Sequence, residues 1–121
     1  MKIFVTGGAG FIGSNVIRYV LKAADNHAII NYDKFTYAGN PANLHSIADH
    51  PGYRFIKGDI CDAATAEAAM RGCDAVVHFA AESHVDRSID EPAPAIQTSV
   101  TGTFTLLEVA RRLAVSRSRR L

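Results

Sequence analysis

The sequence contains no tryptophan, only two cysteines and four prolines, and almost no net charge over its 121 residues. Cys61 and Cys73 offer neither a disulfide framework nor the spacing of a metal site, which is typical of reduced thiols in the cytoplasm. No apolar run approaches the roughly 18 residues that a membrane span requires, and the first run is too short for a signal peptide. These absences predict a cytoplasmic protein without a membrane partner.

Hydrophobic residues make up 48% of the chain, and its charges are unevenly distributed. Residues 1–110 hold 8 basic and 12 acidic side chains, whereas residues 111–121 hold five arginines and no acid. An acidic body is atypical of a nucleic-acid-binding protein, and a short basic end is commonly solvated. We therefore expect one globular domain without a nucleic-acid partner.

Strand-like apolar runs alternate with stretches of helical spacing along the chain. The predicted strands cover residues 3–5, 28–32, 53–57 and 75–80. The predicted helices begin near Ile12, Pro41, Ala63 and Pro92, and the last carries Ile96, Val100, Phe104 and Leu107 on one stripe and continues to about Leu113. Asp62 is expected to cap the third helix. Strands that alternate with helices indicate an α/β fold, with a parallel sheet flanked by helices on both faces.

The segment between the first strand and the first helix carries Gly7, Gly10 and Gly13. Glycine lets the backbone turn sharply and approach a pyrophosphate, while the N–H groups of the following helix face that anion. Asp33 follows the second strand, 20 positions beyond Gly13, where a carboxylate accepts hydrogen bonds from the adenosine ribose and repels a 2′-phosphate. The pattern favours NAD over NADP, although Lys34 weakens that preference. FAD, or a purely structural turn, is the alternative.

Polar residues also follow the third and fourth strands. Asp59 could accept a hydrogen bond from the adenine amine while Ile60 covers the ring, and a turn or helix cap is an equal alternative for Asp59. Ser83 has no surrounding G-x-S-x-G signature, so a hydrolase is not favoured. His78 is interpreted as a core histidine with a backbone partner, and the histidines show no metal-ligand spacing. We expect no metal.

Several of these segments match a known family. The sequence resembles the extended short-chain dehydrogenase/reductase family, and its dTDP-glucose 4,6-dehydratase branch in particular, from residue 1 to about residue 113. The matching segments are TGGAGFIGS at 6–14, DKFTYAGN at 33–40, GDICD at 58–62, HFAAESHVDRSI at 78–89 and TSVTGT at 98–103. The first is shared by many nucleotide-sugar enzymes, whereas the second and fourth are much narrower.

The resemblance implies a partial Rossmann fold with strand order 3-2-1-4, bound NAD, a dTDP-glucose substrate and a homodimer formed through the last helix. The implied pyrophosphate ligands are Gly7, Gly10, Phe11, Ile12 and Gly13. The implied adenosine ligands are Asp33, Lys34, Thr36, Asp59 and Ile60. The implied nicotinamide-side residues are Phe79, Ala80, Ala81 and Thr98, and the implied substrate residue is Ser83.

The resemblance implies the reaction of the dehydratase branch, whose enzymes oxidise the sugar at C4, eliminate water across C5 and C6, and return the same hydride to C6. Their acid–base trio and Tyr-x-x-x-Lys pair would lie beyond Leu121, so the resemblance assigns no catalytic residue here. We therefore expect an NAD-binding part at residues 1–113, a disordered or unrelated basic tail at 114–121, and no activity alone. A non-catalytic NAD-binding module and a fragment of a related nucleotide-sugar epimerase are the alternatives.

Overall fold

A computed structural model describes residues 1–23, 26–34, 41–80 and 92–119 of the chain. The strands are β1 (Lys2–Thr6), β2 (Ala28–Asp33), β3 (Tyr53–Lys57) and β4 (Ala75–His78). The helices are α1 (Phe11–Ala23), α2 (Ala63–Met70), α3 (Pro92–Ile96) and α4 (Thr103–Arg119), with a 3-10 helix at Pro41–Ile47 and a π-helical segment at Gln97–Gly102. None of these helices is both long and apolar enough to cross a membrane.

The four strands are parallel and lie in the order β3-β2-β1-β4, which confirms the predicted topology. Thr6 at the end of β1 is level with Tyr32 on one side and with His78 on the other. The carboxyl ends of three strands therefore meet at one edge, where open α/β sheets bind their ligands.

Helices cover both faces of the sheet. Because successive residues of a strand point to opposite faces, neighbouring residues of β1 pack against different helices. Phe4 packs on one face with Leu106 and Val109 of α4. Val5, the next residue, packs on the other face with Ile17 of α1. All five side chains are at most 3% exposed, so each face has its own apolar core.

Helix α2 begins at the cap that the sequence predicts. Asp62 accepts hydrogen bonds from the backbone N–H of Thr65 at 3.2 Å and from its hydroxyl at 2.7 Å. After Arg71 the chain turns at Gly72, which has a φ of 86°, a conformation that favours glycine. The two hydrogen bonds from Thr65 to Asp62 confirm the predicted N-cap.

The end of the chain differs from the sequence expectation. A helical path runs from Pro92 to Arg119, past the end expected near Leu113, so residues 114–119 form helix rather than a disordered tail. Near the end of α4, the Arg117 guanidinium pairs with Asp74 at 3.3 Å. Asp74 also accepts a hydrogen bond from the Lys2 amide at 2.8 Å, so the last turns of α4 contact the start of β1 through one carboxylate.

The long helix carries two apolar faces. Gly102, Leu106 and Val109 face the core and are buried. The stripe noted in the sequence is a different set, and its members are all more than half exposed: Ile96, Val100, Phe104 and Leu107. The outer stripe is therefore not part of the core of this chain.

Candidate functional site

The turn after β1 is packed tightly from below. Gly7 has a φ of 71°, and a Cβ on it would lie 2.6 Å from the Ala80 nitrogen. A Cβ on Gly13 would overlap the Gly7 carbonyl oxygen and lie 2.9 Å from the Gly8 Cα. Any side chain at these positions would push the turn away from the end of β4 or from α1, so both must be glycine for steric reasons.

The described residues leave space beside Gly10. Among them, a Cβ on Gly10 would meet only the Gly7 carbonyl oxygen, at 3.4 Å, while Phe11 and Ile12 are 79% and 64% exposed. The first N–H groups of a helix have no intrahelical partner, and the helix dipole favours negative charge at that end. We call this space the Gly10 hollow, and the N-terminus of a helix beside such a space can bind an anion.

A carboxylate from β2 reaches the same turn. The Ala9 N–H donates to Asp33 Oδ2 at 2.9 Å, and Asp33 is 8% exposed. This bond joins residues 24 positions apart and fixes the carboxylate beside the glycine turn. The sequence expectation that Asp33 lies at this turn agrees with that geometry, and its contact with a ribose remains a prediction.

Two residues expected to contact the adenosine contact each other. Lys34 Nζ lies 3.1 Å from Asp59 Oδ2, and Asp59 Oδ1 accepts the Cys61 N–H at 2.9 Å. Partial burial acts to raise the pKa of Asp59, but the Cys61 amide and the Lys34 ammonium outweigh it and lower that pKa. Tyr32 Oη donates to the Asp59 carbonyl at 2.8 Å. Asp59 is therefore an ionised and well-anchored carboxylate.

The other expected ligands are placed as follows. Ile60 is 6% exposed and packs against Gly102, so its side chain belongs to the core. The Phe79 N–H donates to the Thr6 carbonyl at 3.0 Å, and Thr98 lies partly exposed on the π-helical segment. Thr36, Ala81 and Ser83 lie outside the described residues.

His78 forms a bridge that the sequence did not indicate. Its Nδ1 lies 2.6 Å from Thr6 Oγ1 and its Nε2 lies 3.0 Å from Thr103 Oγ1. The Ala80 N–H also donates to Thr6 Oγ1 at 3.2 Å, and a neutral histidine can join the two hydroxyls by donating from one ring nitrogen and accepting at the other. Burial lowers the pKa of His78, which favours this neutral form. His78 is half-buried beside the core rather than within it, and its side-chain partners are two hydroxyls rather than the backbone.

Asn31 lies beneath the glycine turn and was also missed. It is fully buried, and its Nδ2 donates to Tyr53 Oη at 3.0 Å. A Cβ on Gly8 would lie 2.5 Å from the Asn31 Cγ, while Asn31 Oδ1 has no hydrogen-bond partner among the residues described. A polar residue inside an apolar strand was the available signal. Within the described part of the chain, no three potential metal ligands come together.

A glycine turn at the carboxyl end of β1, an open helix N-terminus and an acid at the end of β2 define a Rossmann-type dinucleotide-binding unit. The family model described as GDP-mannose 4,6 dehydratase matches residues 4–121. The chain belongs to that family.

Several curated proteins and solved structures are similar to this chain. A dTDP-glucose 4,6-dehydratase from Neisseria meningitidis is 54% identical over 112 residues, 91% of this chain and 31% of the relative. The crystal structure of a dTDP-glucose 4,6-dehydratase from Streptomyces venezuelae with NAD bound is 49% identical, with a TM-score of 0.90, over 94% of this chain and 37% of the other. A UDP-glucose 4-epimerase from Thermotoga maritima is 31% identical, with a TM-score of 0.80, over 93% and 35%. The chain spans about a third of the length of the curated relatives it matches.

Proposed function

We propose that this chain is the NAD-binding part of a dTDP-glucose 4,6-dehydratase. The observation that carries the proposal is the hydrogen bond between Ala9 and Asp33 beside the Gly10 hollow. In this arrangement the N–H groups that would bind a pyrophosphate lie beside the carboxylate that would accept a ribose. The dehydratases named among the relatives, at about half identity, support the choice of enzyme.

Different residues would bind different parts of the NAD molecule. The amides of Phe11 and Ile12 would bind the pyrophosphate above Gly10, and Asp33 would accept the ribose hydroxyls. Asp59 would face the adenine, and Ala80 would lie on the nicotinamide side. Bound NAD supplies a hydride acceptor for the sugar C4 and later returns that hydride to C6. The chain's part in the reaction is to bind and orient, with Ser83 proposed to contact the sugar.

No catalytic acid or base is assigned within the chain. The string from Tyr53 to Lys57 has Tyr-x-x-x-Lys spacing, but it forms β3. Residues four apart in a strand are about 13 Å apart, and the Tyr53 hydroxyl is bonded to Asn31. We therefore propose that the 121-residue chain alone binds NAD without turning over dTDP-glucose.

The outer stripe of the long helix supports a homodimer. Val100, Phe104 and Leu107 are each at least 63% exposed, and such apolar stripes mark interaction surfaces. We propose that a second copy covers this stripe in the whole enzyme.

Cys61 and Cys73 are free thiols, which is typical of the cytoplasm, where we place the protein.

A related epimerase is the second candidate, because the epimerase structure shares the fold. Identity and TM-score both favour the dehydratase, at 49% and 0.90 against 31% and 0.80. A module that binds NAD without any reaction is the third. Both alternatives would use the same glycine turn, so the cofactor site does not distinguish them.

The proposal is tested by titrating NAD into the purified chain in a calorimeter, followed by an assay for the 4-keto-6-deoxy product. We expect saturable binding of one NAD and no product. An absence of binding at millimolar NAD would refute the cofactor assignment. Product formation by the chain alone would show that a residue described here as structural acts as the base.

A further inference from the structure

The position of Lys34 bears on the choice between NAD and NADP. Lys34 directly follows Asp33 at the end of β2, where a cation could bind the 2′-phosphate of NADP. Its ammonium instead lies 3.1 Å from Asp59 Oδ2, across the ends of β2 and β3. The structure therefore places a cation near the ribose position and an acid that holds it.

Asp59 is the fixed member of this pair. Its Oδ1 accepts the Cys61 N–H at 2.9 Å, and its carbonyl accepts the Tyr32 hydroxyl at 2.8 Å. The Lys34 side chain is 61% exposed, against 41% for Asp59. A long exposed lysine beside an anchored carboxylate follows the carboxylate, so Asp59 decides where the ammonium lies.

The charges of these three residues determine how strongly the site would attract the 2′-phosphate of NADP. Asp33, Lys34 and Asp59 together carry a net charge of −1, and removing the Asp59 charge would leave the group neutral with a mobile ammonium beside Asp33. A 2′-phosphate carries about −1.5 to −2 charges by analogy with other phosphate monoesters, so it gains more from that change than a ribose hydroxyl does.

We propose that Asp59 is a specificity-determining residue that favours NAD over NADP by holding the Lys34 ammonium away from the ribose 2′ position. This inference rests on the proposed NAD-binding function and deepens it. Asp33 repels the 2′-phosphate directly, whereas Asp59 withholds the neighbouring cation that would otherwise attract it. The role is separate from any contact of Asp59 with adenine, which would affect both dinucleotides equally.

The ion pair between Lys34 and Asp59 can be broken with little effect on folding, because both side chains are exposed. An exposed ion pair contributes only about 0 to 1 kcal/mol to stability, so the Asp59→Asn variant should fold normally. Asparagine retains an oxygen to accept the Cys61 N–H, and it leaves the bond from Tyr32 to the backbone carbonyl intact. The substitution therefore changes the charge and little else.

The test is calorimetric titration of the full chain with NAD and with NADP, for wild type, Asp59→Asn, Lys34→Gln and the double variant. We expect Asp59→Asn to raise the ratio of NADP affinity to NAD affinity about tenfold, the effect of one nearby partly screened charge. Lys34→Gln in the same chain should abolish that gain. Unfolding curves for each variant should coincide with that of wild type.

Asp62→Asn is the matched control. It makes the same change in net charge three positions along, at a fully exposed carboxylate that caps α2 through Thr65, and asparagine is an equally good cap. We expect it to leave the affinity ratio unchanged. A shift as large as that of Asp59→Asn would overturn the inference, because overall charge would then explain both.

Two other results would separate the proposals. Wild type that binds NAD, with a ratio that Asp59→Asn does not change or that stays raised in the double variant, would overturn this inference and leave the NAD site intact. Wild type that binds neither dinucleotide would overturn the proposed function and this inference with it.

Discussion

The glycine turn and the outer stripe of the last helix are opposite kinds of surface. At the turn, glycines remove side chains so that backbone from β1, β4 and α1 can meet, with a Cβ on Gly7 only 2.6 Å from Ala80. On the stripe, Phe104 and Leu107 are each 66% exposed. The comparison teaches that contacts within the chain explain the glycines of the turn, whereas an exposed apolar stripe is explained only by a partner outside these contacts.

The largest expected effect comes from Gly7→Ala. The positive φ is strained for alanine by about 1 to 3 kcal/mol, and the new methyl would also overlap the end of β4. We expect a loss of at least about 3 kcal/mol in the free energy of unfolding, measured in urea.

Gly10→Ala is the matched control for that prediction. Among the described residues its Cβ would make only an ordinary contact with the Gly7 carbonyl oxygen at 3.4 Å, so we expect a loss of about 0.5 to 1 kcal/mol, the usual difference between glycine and alanine at a helix N-cap. Equal losses for the two variants would show that the turn is not packed against Ala80 as described.

The two faces of α4 are compared by replacing neighbouring leucines with alanine. Leu106 is 3% exposed, whereas Leu107 is 66% exposed. We expect Leu106→Ala to lower the free energy of unfolding by about 2 to 5 kcal/mol and Leu107→Ala to change it by less than about 0.5 kcal/mol. A larger effect for Leu107→Ala at low protein concentration would place the stripe in the core of the single chain.

Phe104→Glu sharpens the same contrast through assembly. A charge on the outer stripe should leave the unfolding curve of the single chain unchanged and weaken the proposed contact between two copies, which sedimentation experiments measure as self-association. If association survives this substitution, then the stripe is not the contact between copies.

Tyr32→Phe probes the anchor of Asp59. Burial first, and then the nearby Asp62 and Asp59 charges, raise the pKa of Tyr32 to about 12. The folded state therefore holds this proton more tightly than the unfolded state, whose pKa is about 10. The phenol's contribution, about 1 to 3 kcal/mol, should be full below pH 10 and disappear as the pH rises towards 12.

The measurement for Tyr32 is the difference in unfolding free energy between wild type and Tyr32→Phe, taken from pH 8 to pH 12. This difference isolates Tyr32 from other groups that titrate in the same range. A difference that stays constant across that range would contradict the assigned pKa.

The smallest effect is expected from Arg117→Ala. Its pair with Asp74 is exposed, at 66% and 38%, so the loss should be within about 1 kcal/mol. Amide hydrogen exchange should speed up only in the last turns of α4. A loss well above that range would mean that the chain end supports the domain rather than resting on it.

Sequence reasoning succeeded where the cause is local. The Asp62 cap follows from a pattern within four residues, and the approach of Asp33 to the glycine turn follows from neighbouring parallel strands. The order of the strands came from the family resemblance. It did not reveal the His78 bridge to Thr103 or the burial of Asn31 beneath Gly8, because each depends on a distant residue. The pair of Lys34 and Asp59 belongs with these, since it crosses between two strand ends.

The predicted end of the last helix, near Leu113, was wrong for a related reason. Residues 114–119 contain no helix-stopping glycine or proline, and the expectation of a disordered tail came from its arginines. The structure gives Arg117 a partner in Asp74, 43 positions earlier. Charge composition alone does not identify such a partner.

The most direct test of the central claim is an amide-resolved NMR titration of the full chain with NAD. The account predicts saturable shifts concentrated at the amides of Gly10, Phe11 and Ile12 and around Asp33, with the far ends of the strands unchanged. Shifts confined to other parts of the chain, or no shifts at millimolar NAD, would contradict it.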